Sequence, residues 1–219
     1  IGLNYVHGFR NPDLSFLGDW PIKRINLIAR GMKDLTGLDR VSSKLESLWI
    51  ESHPSASIDL SRFPSLTSVR VDWAQIRATV KHGTHIEELH PLHYREQDLG
   101  PLSDNKNLRL LVFKNYPRMT SLNGIEKLPN LEHFAAFLAP LSDIDALRSI
   151  EGPLTELELQ SSRLYDLDPI SHCTGLEFLN LSGCRDIESL KPLSSLTNLT
   201  DLHAYGSTRV TDGDLAPLL

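Results

Sequence analysis

The sequence predicts an α/β solenoid of about ten repeats, a curved right-handed superhelix with a parallel β-sheet on its concave face. Short 3₁₀, irregular or helical returns are expected on the convex face. Three observations carry this expectation. Apolar residues recur in an L-x-x-L-x-L spacing at intervals of 20 to 23 residues, further apolar residues about three apart follow each run, and clusters of turn residues separate the parts.

The unit is clearest in "LEFLNLSGC", residues 176–184, where leucines take the first, fourth and sixth places. A helix turning about 100° per residue would point these three to opposite sides, so they cannot share a helical face. In a short strand the fourth and sixth places share one face, and the first precedes the strand and turns inward with them. First places fall in order at Ile1, Ile22, Leu45, Leu66, Ile86, Leu108, Leu131, Leu154, Leu176 and Leu199. The returns follow as Leu164, Leu167 and Ile170, or Ile187, Leu190, Leu193 and Leu196, a spacing that suits a turn of helix or 3₁₀ helix. "NPDL", "HPSAS", "NYPRM", "FLAPLSD" and "SLTN" supply the turns. One such unit cannot bury its own apolar side, but a stack buries a continuous core. Ten strands about 4.8 Å apart would give a sheet spanning roughly 45 Å.

L-x-x-L-x-L at this period resembles the leucine-rich repeat family, and the resemblance covers essentially all residues. The units "LTELELQSSRLYDLDPI", "LEFLNLSGCRDIESLKPL" and "LTDLHAYGSTRVTDGDLAPL" carry it best, and their 22- to 23-residue length looks most like the internalin-like class. The resemblance implies one elongated leucine-rich repeat domain over 1–219. It also implies that the ninth place of a unit, usually Asn or sometimes Cys, turns inward and bonds backbone groups. Cys184 stands there, with Ser162 and Ser207 in the flanking units. Cys184 and Cys173 are therefore expected to be buried structural thiols rather than nucleophiles. Toward the N-terminus the ninth places hold Phe9, Arg30, His53, Ala74, Tyr94, Tyr116 and Ala139, which cannot all form an inward polar ladder. Either the register slips by a residue in units three to five, or those turns are irregular.

Composition narrows the function. The chain has 219 residues, 40% hydrophobic and 23% charged, with no stretch of eighteen apolar residues, so no membrane insertion is expected. A net charge of −6 argues against a nucleic-acid partner, because phosphate affinity comes from clustered Lys and Arg. Two cysteines make no disulfide framework and favour a reducing, cytoplasmic setting, whereas internalin-like surface adhesion would place the chain outside a bacterium. Ile1 at the start and Leu219 inside an apolar pattern are read as the ends of a piece of a longer protein. No phosphate-binding loop, nucleophile elbow or H-E-x-x-H occurs, so neither a catalytic residue nor a cofactor is assigned and the chain is read as a non-enzyme. His82, His85, His90 and His93 invite zinc, but they spread over a return and a strand and are expected to stay scattered, with no metal site. "NLS" at 180 and "NLT" at 198 arise from the repeat itself and are read as incidental glycosylation patterns.

With the fourth and sixth places in the core, the third, fifth and seventh face the open concave side. Those places vary where the core places do not, so they are free to serve a protein or peptide partner. The residues expected to bind it are Trp49, Arg70, His90, Leu92, Val112, Lys114, His133, Phe137, Glu156, Glu158, Phe178, Asp201, His203 and Tyr205. Apolar members resemble interface anchors. In the last four units Glu132, Glu156, Glu158, Glu177 and Asp201 occur without a Lys or Arg on that face, whereas earlier units mix signs. An acidic stretch bordered by Phe137, Phe178 and Tyr205 is expected to attract a basic patch on a protein. The rival class is an accessory repeat region of a larger enzyme or effector.

Overall fold

A computed structural model describes residues 1–18 and 20–218. Leu219, on which part of the open-ended reading rests, lies outside the described residues. Among the described residues, ten parallel strands form one continuous sheet in chain order. They are β1 (Gly2–Asn4), β2 (Arg24–Ile28), β3 (Ser47–Glu51), β4 (Ser68–Asp72), β5 (Glu88–Leu92), β6 (Leu110–Phe113), β7 (His133–Ala136), β8 (Glu156–Glu158), β9 (Phe178–Asn180) and, skipping β10 (Asp186–Ile187), β11 (Asp201–His203). β10 pairs with β12 (Arg209–Val210) in a separate two-stranded ribbon.

From β2 onward the strands start where the spacing put them, but the first unit is shifted by three places: Gly2, Leu3 and Asn4 pair with Asn26, Leu27 and Ile28, so Ile1 is not a first place. Third places pair in one row from Arg24 through Ser47, Ser68, Glu88, Leu110, His133, Glu156 and Phe178 to Asp201. No slip occurs in units three to five, so the irregularity lies in the turns. Fourth and sixth places in units two to nine are all buried, from Ile25 and Leu27 through Val69 and Val71 to Leu179 and Leu181. Val6, the expected sixth place of the first unit, lies in the 3₁₀ turn Tyr5–His7 and is 67% exposed, while Leu3 pairs with Leu27 and packs on the core; at the other end Leu202 is only partly buried. Among the described residues β11 has no further strand beyond it to cover Leu202.

The returns are mostly 3₁₀ helices, among them Thr36–Val41, Gly100–Leu102, Asp145–Ser149, Asp168–His172 and Lys191–Ser195. Their apolar residues three apart, such as Ile187, Leu190, Leu193 and Leu196, all point into the core. Among the described residues, no helix is long and apolar enough to cross a membrane.

The turn leaving the strand has its own rule. At the eighth place, His93, Asn115, Leu138, Ser161, Gly183 and Gly206 all adopt left-handed backbone, with φ between 53° and 76°. In the fourth unit the strand instead runs into a short helix, α1 (Trp73–Ile76), which Asp72 caps by accepting the Ala74 N–H at 3.0 Å. Trp73 then opens a buried aromatic spine through Tyr94, Phe113 and Phe134, with successive ring centroids 4.6, 4.7 and 5.8 Å apart. Tyr94, a ninth-place residue, thus turns inward as an aromatic, and its hydroxyl donates to the Asp98 carbonyl at 2.7 Å. Burial raises the pKa of that phenol.

The expected polar ladder exists in the C-terminal units, with one substitution. Cys184 Sγ donates to the Leu159 carbonyl at 2.9 Å and lies 3.3 Å from Ser162 Oγ. Ser162 bonds the same carbonyl. In the last unit Ser207 is exposed, and Thr208 takes the inward role instead, donating to the Leu181 carbonyl at 2.7 Å and accepting the Cys184 N–H. The segments from Phe178 to Asp186 and from Asp201 to Arg209 are equal in length, so the inward role moves by one residue without an insertion. Burial pushes the Cys173 thiol up to about 12 and raises that of Cys184, and both are free. These are inert groups.

A second ladder escaped the sequence reading. Asn107, Asn130 and Asn198, each just before a first place, donate to the carbonyls of Thr84, Lys106 and Thr174 in the preceding unit at 2.8 to 3.0 Å. The recurring "NL" was its signal. Asn180 and Asn198, the two glycosylation matches, are both spent structurally: Asn180 is 6% exposed and bonds Glu158.

Candidate concave binding wall

The fifth places run across the wall in register as Asn26, Trp49, Arg70 and His90, and again as Val112, Ala135, Glu158, Asn180 and His203. Parallel pairing therefore makes neighbours of residues about 22 positions apart. Three zones result.

The first zone centres on Trp49, which is 38% exposed. The Arg70 guanidinium lies 5.4 Å over the indole, and the His90 ring packs 6.3 Å from it. Burial, then Arg70 and Lys114, lower the pKa of His90 to about 4. The folded value lies below the ordinary 6.5, so the unfolded chain takes up that proton first. Stability linked to His90 is complete above pH 6.5 and is lost as pH falls toward 4. His90→Gln is expected to flatten a loss on the order of 2 kcal/mol over that window, after discounting partial exposure, as read from urea unfolding at a series of pH values.

The middle zone is a sealed apolar floor. Leu92, Val112 and Ala135 are 5%, 6% and 0% exposed, so the two expected anchors Leu92 and Val112 offer a partner almost no surface. Strand alternation aims them at the wall, but neighbouring rungs close over them. Lys114 is exposed at the exit from β6, and its Nζ sits 5.3 Å over the half-buried Phe137 ring.

The third zone is acidic and aromatic. His133 Nδ1 lies 3.0 Å from Glu156, and its Nε2 is 3.4 Å from Glu158 without a hydrogen bond. Gln160 and Asn180 donate to Glu158 at 3.1 and 3.2 Å, which fixes that carboxylate. Phe178, His203 and Tyr205 stack in sequence, with centroids 4.9 and 5.1 Å apart, and Tyr205 is 66% exposed. Glu156, Glu158, Glu177, Phe178, Thr200 and Asp201 enclose an open hollow of about 350 Å³. Glu132 does not join them, because Arg109 holds it through two hydrogen bonds of 3.0 Å at the strand-entry edge.

The four histidines do not converge. His85 Nε2 bonds the Phe63 carbonyl at 2.8 Å, His93 Nδ1 lies 2.7 Å from Asp72, His90 packs on the wall, and His82 is exposed at the end of a return. Among the described residues, no three His, Cys, Asp or Glu side chains gather as a metal site. Two exposed side chains on the exit rim, Tyr116 (70%) at a ninth place and Leu138 (47%) at an eighth, were not singled out by the sequence reading, which looked for a partner only at the third, fifth and seventh places.

Repeated rungs of strand, left-handed turn and 3₁₀ return define the fold as a leucine-rich repeat solenoid of internalin-like build. No family model matches the sequence, and no curated protein matches it. Among solved structures, internalin C2 of Listeria monocytogenes shares the fold at a TM-score of 0.72 and 18% identity, over 84% of this chain and 81% of that one. Internalin InlF of the same organism matches at 0.53 and 18%, over 90% and 70%. A chain from a structure described as PEPR1–AtPEP1 matches at 0.56 and 12%, over 83% of this chain and 30% of that one.

Proposed function

We propose that this chain is a non-catalytic interaction module whose concave wall docks a basic segment of a protein or peptide. The observation that carries the reading is the third zone, where Glu156, Glu158, Glu177 and Asp201 stand beside Phe178 with no Lys or Arg paired to them among the described residues. Carboxylates around an aromatic face suit an ammonium or guanidinium group, which gains both Coulomb and cation–π attraction. Phe178 and Tyr205 supply apolar area for the aliphatic stem of the same side chain. The PEPR1–AtPEP1 match supports a peptide-sized partner for this kind of fold.

Capture of partners on the immobilised chain tests the proposal. Glu156→Lys with Glu158→Lys is expected to weaken specific capture at least about tenfold, and most strongly at low salt, since each exposed charge contact contributes up to roughly 1 kcal/mol and reversal adds repulsion. Equal retention of every specific partner would end the acidic-strip proposal. The internalin-like build supports a second setting, surface adhesion outside a cell, against the cytoplasmic one favoured by the two unbridged thiols. Fractionation of the source cells separates the two.

A further inference from the structure

We infer that the partner segment is bipolar and lies along the solenoid axis, with an acidic end over the fourth to sixth units and its basic end over the eighth to tenth. The inference rests on the interaction reading above and adds to it a polarity, a length and a second charge type.

Formal charges on the N-terminal half of the wall nearly cancel, but their pairing does not leave them equal. Glu51 is held by Arg30 at 3.0 Å, and Asp72 caps α1 and lies 2.7 Å from the His93 ring, whereas Glu88 only accepts from the Ser68 hydroxyl at 2.9 Å and keeps its charge. Arg24, Arg70 and Lys114 form no ion pair with a carboxylate among the described residues. Two of the three are instead laid over aromatic faces, Arg70 over Trp49 and Lys114 over Phe137. An aromatic face positions a cation without neutralising it, so both keep their full attraction for an anion.

In the acidic zone the arrangement is inverted. Phe178 carries no cation of its own, and carboxylates surround it. Leu92 and Val112 lie within the first pole, between Arg70 and Lys114, and Ala135 of the seventh unit is the uncharged fifth place between Val112 and Glu158. Arg70 on β4 and Asp201 on β11 lie six rungs apart, which is roughly 29 Å at the usual strand spacing. An extended segment of roughly nine residues covers that distance. With Glu88 as the exposed carboxylate between them, Arg70 and Lys114 leave that half of the wall net positive, so a uniformly basic segment gains less there than a bipolar one.

Three fluorescein-labelled ten-residue peptides test this on the full chain at low salt: one with two Asp at one end and two Arg at the other, one of the same composition with alternating charges, and one with Arg at both ends. The bipolar peptide is expected to bind about fivefold tighter than its alternating isomer. Arg70→Glu with Lys114→Glu should remove that advantage and tighten the all-basic peptide, and the milder Arg70→Gln with Lys114→Gln should remove it with less risk to folding. A spin label on the acidic end should broaden amide signals of the fourth to sixth units, and one on the basic end those of the eighth to tenth. Equal binding of the two isomers, or a bipolar affinity indifferent to Arg70 and Lys114, overturns the inference while leaving the acidic-strip reading intact. If no peptide responds to Glu156→Lys with Glu158→Lys, both readings fall.

Discussion

Phe113→Ala is expected to lower the unfolding free energy by about 4 kcal/mol, the upper range for truncating an aromatic in a closed core. Phe113 is fully buried in the middle of the spine, its ring 4.7 Å from Tyr94 and 5.8 Å from Phe134. Removal opens a cavity that the units on both sides line, so each of those interfaces weakens together. A solenoid has few contacts beyond adjacent rungs to compensate, since each unit touches chiefly its neighbours. Phe113→Leu should cost only about 1.5 kcal/mol by retaining most of the volume. Urea unfolding followed by far-UV circular dichroism measures both, and a Phe113→Ala loss below about 1 kcal/mol would show that the spine is not a packed core.

Gly124→Ala is expected to cost roughly 2–5 kcal/mol, through positive-φ strain combined with overpacking. Gly124 precedes the 3₁₀ turn Ile125–Lys127 with φ of 101°. A Cβ there would lie 2.8 Å from the Leu99 carbonyl carbon and 2.9 Å from the Gly100 nitrogen, both backbone atoms of the preceding unit. Gly8 provides the control, because its φ is 96° and a Cβ would meet nothing within 4 Å. Gly8→Ala should therefore show the conformational cost alone, about 1 kcal/mol. If the two variants lose equal stability in thermal unfolding, the close approach between units at Leu99 is not what requires glycine.

These two positions illustrate unequal legibility in the sequence. The rung was legible: alternation on one face placed the starts of the main-sheet strands from β2 onward and every core pair from Ile25 to Leu181, but not the register of β1 or the ribbon of β10 and β12. It succeeded because the requirement repeats at each unit, so any single ambiguous residue was corrected by its counterparts. Turns were harder, because a turn answers to more than its own length. At equal length the inward role passed from Ser207 to Thr208, and α1 in the fourth unit preceded the inward placement of Tyr94 in the fifth. The left-handed eighth place was hidden because His93, Asn115, Leu138 and Ser161 carry it without glycine. On the wall, alternation gave the facing of Leu92 and Val112 but not their depth, which depends on side chains from adjoining rungs. Pairing had the same limit: the engagement of Glu51 by Arg30, or of Glu132 by Arg109, is a relation between units that no single unit displays.

The uninterrupted register of the sheet makes chain length a ruler. Duplicating one whole unit between the sixth and eighth would move the opposing charges apart by one strand width, about 4.8 Å, and deleting one would bring them together by the same amount. Gene events that add or drop 22 or 23 codons thus change the span of the concave wall in fixed steps, and every other rung keeps the neighbour geometry it already has.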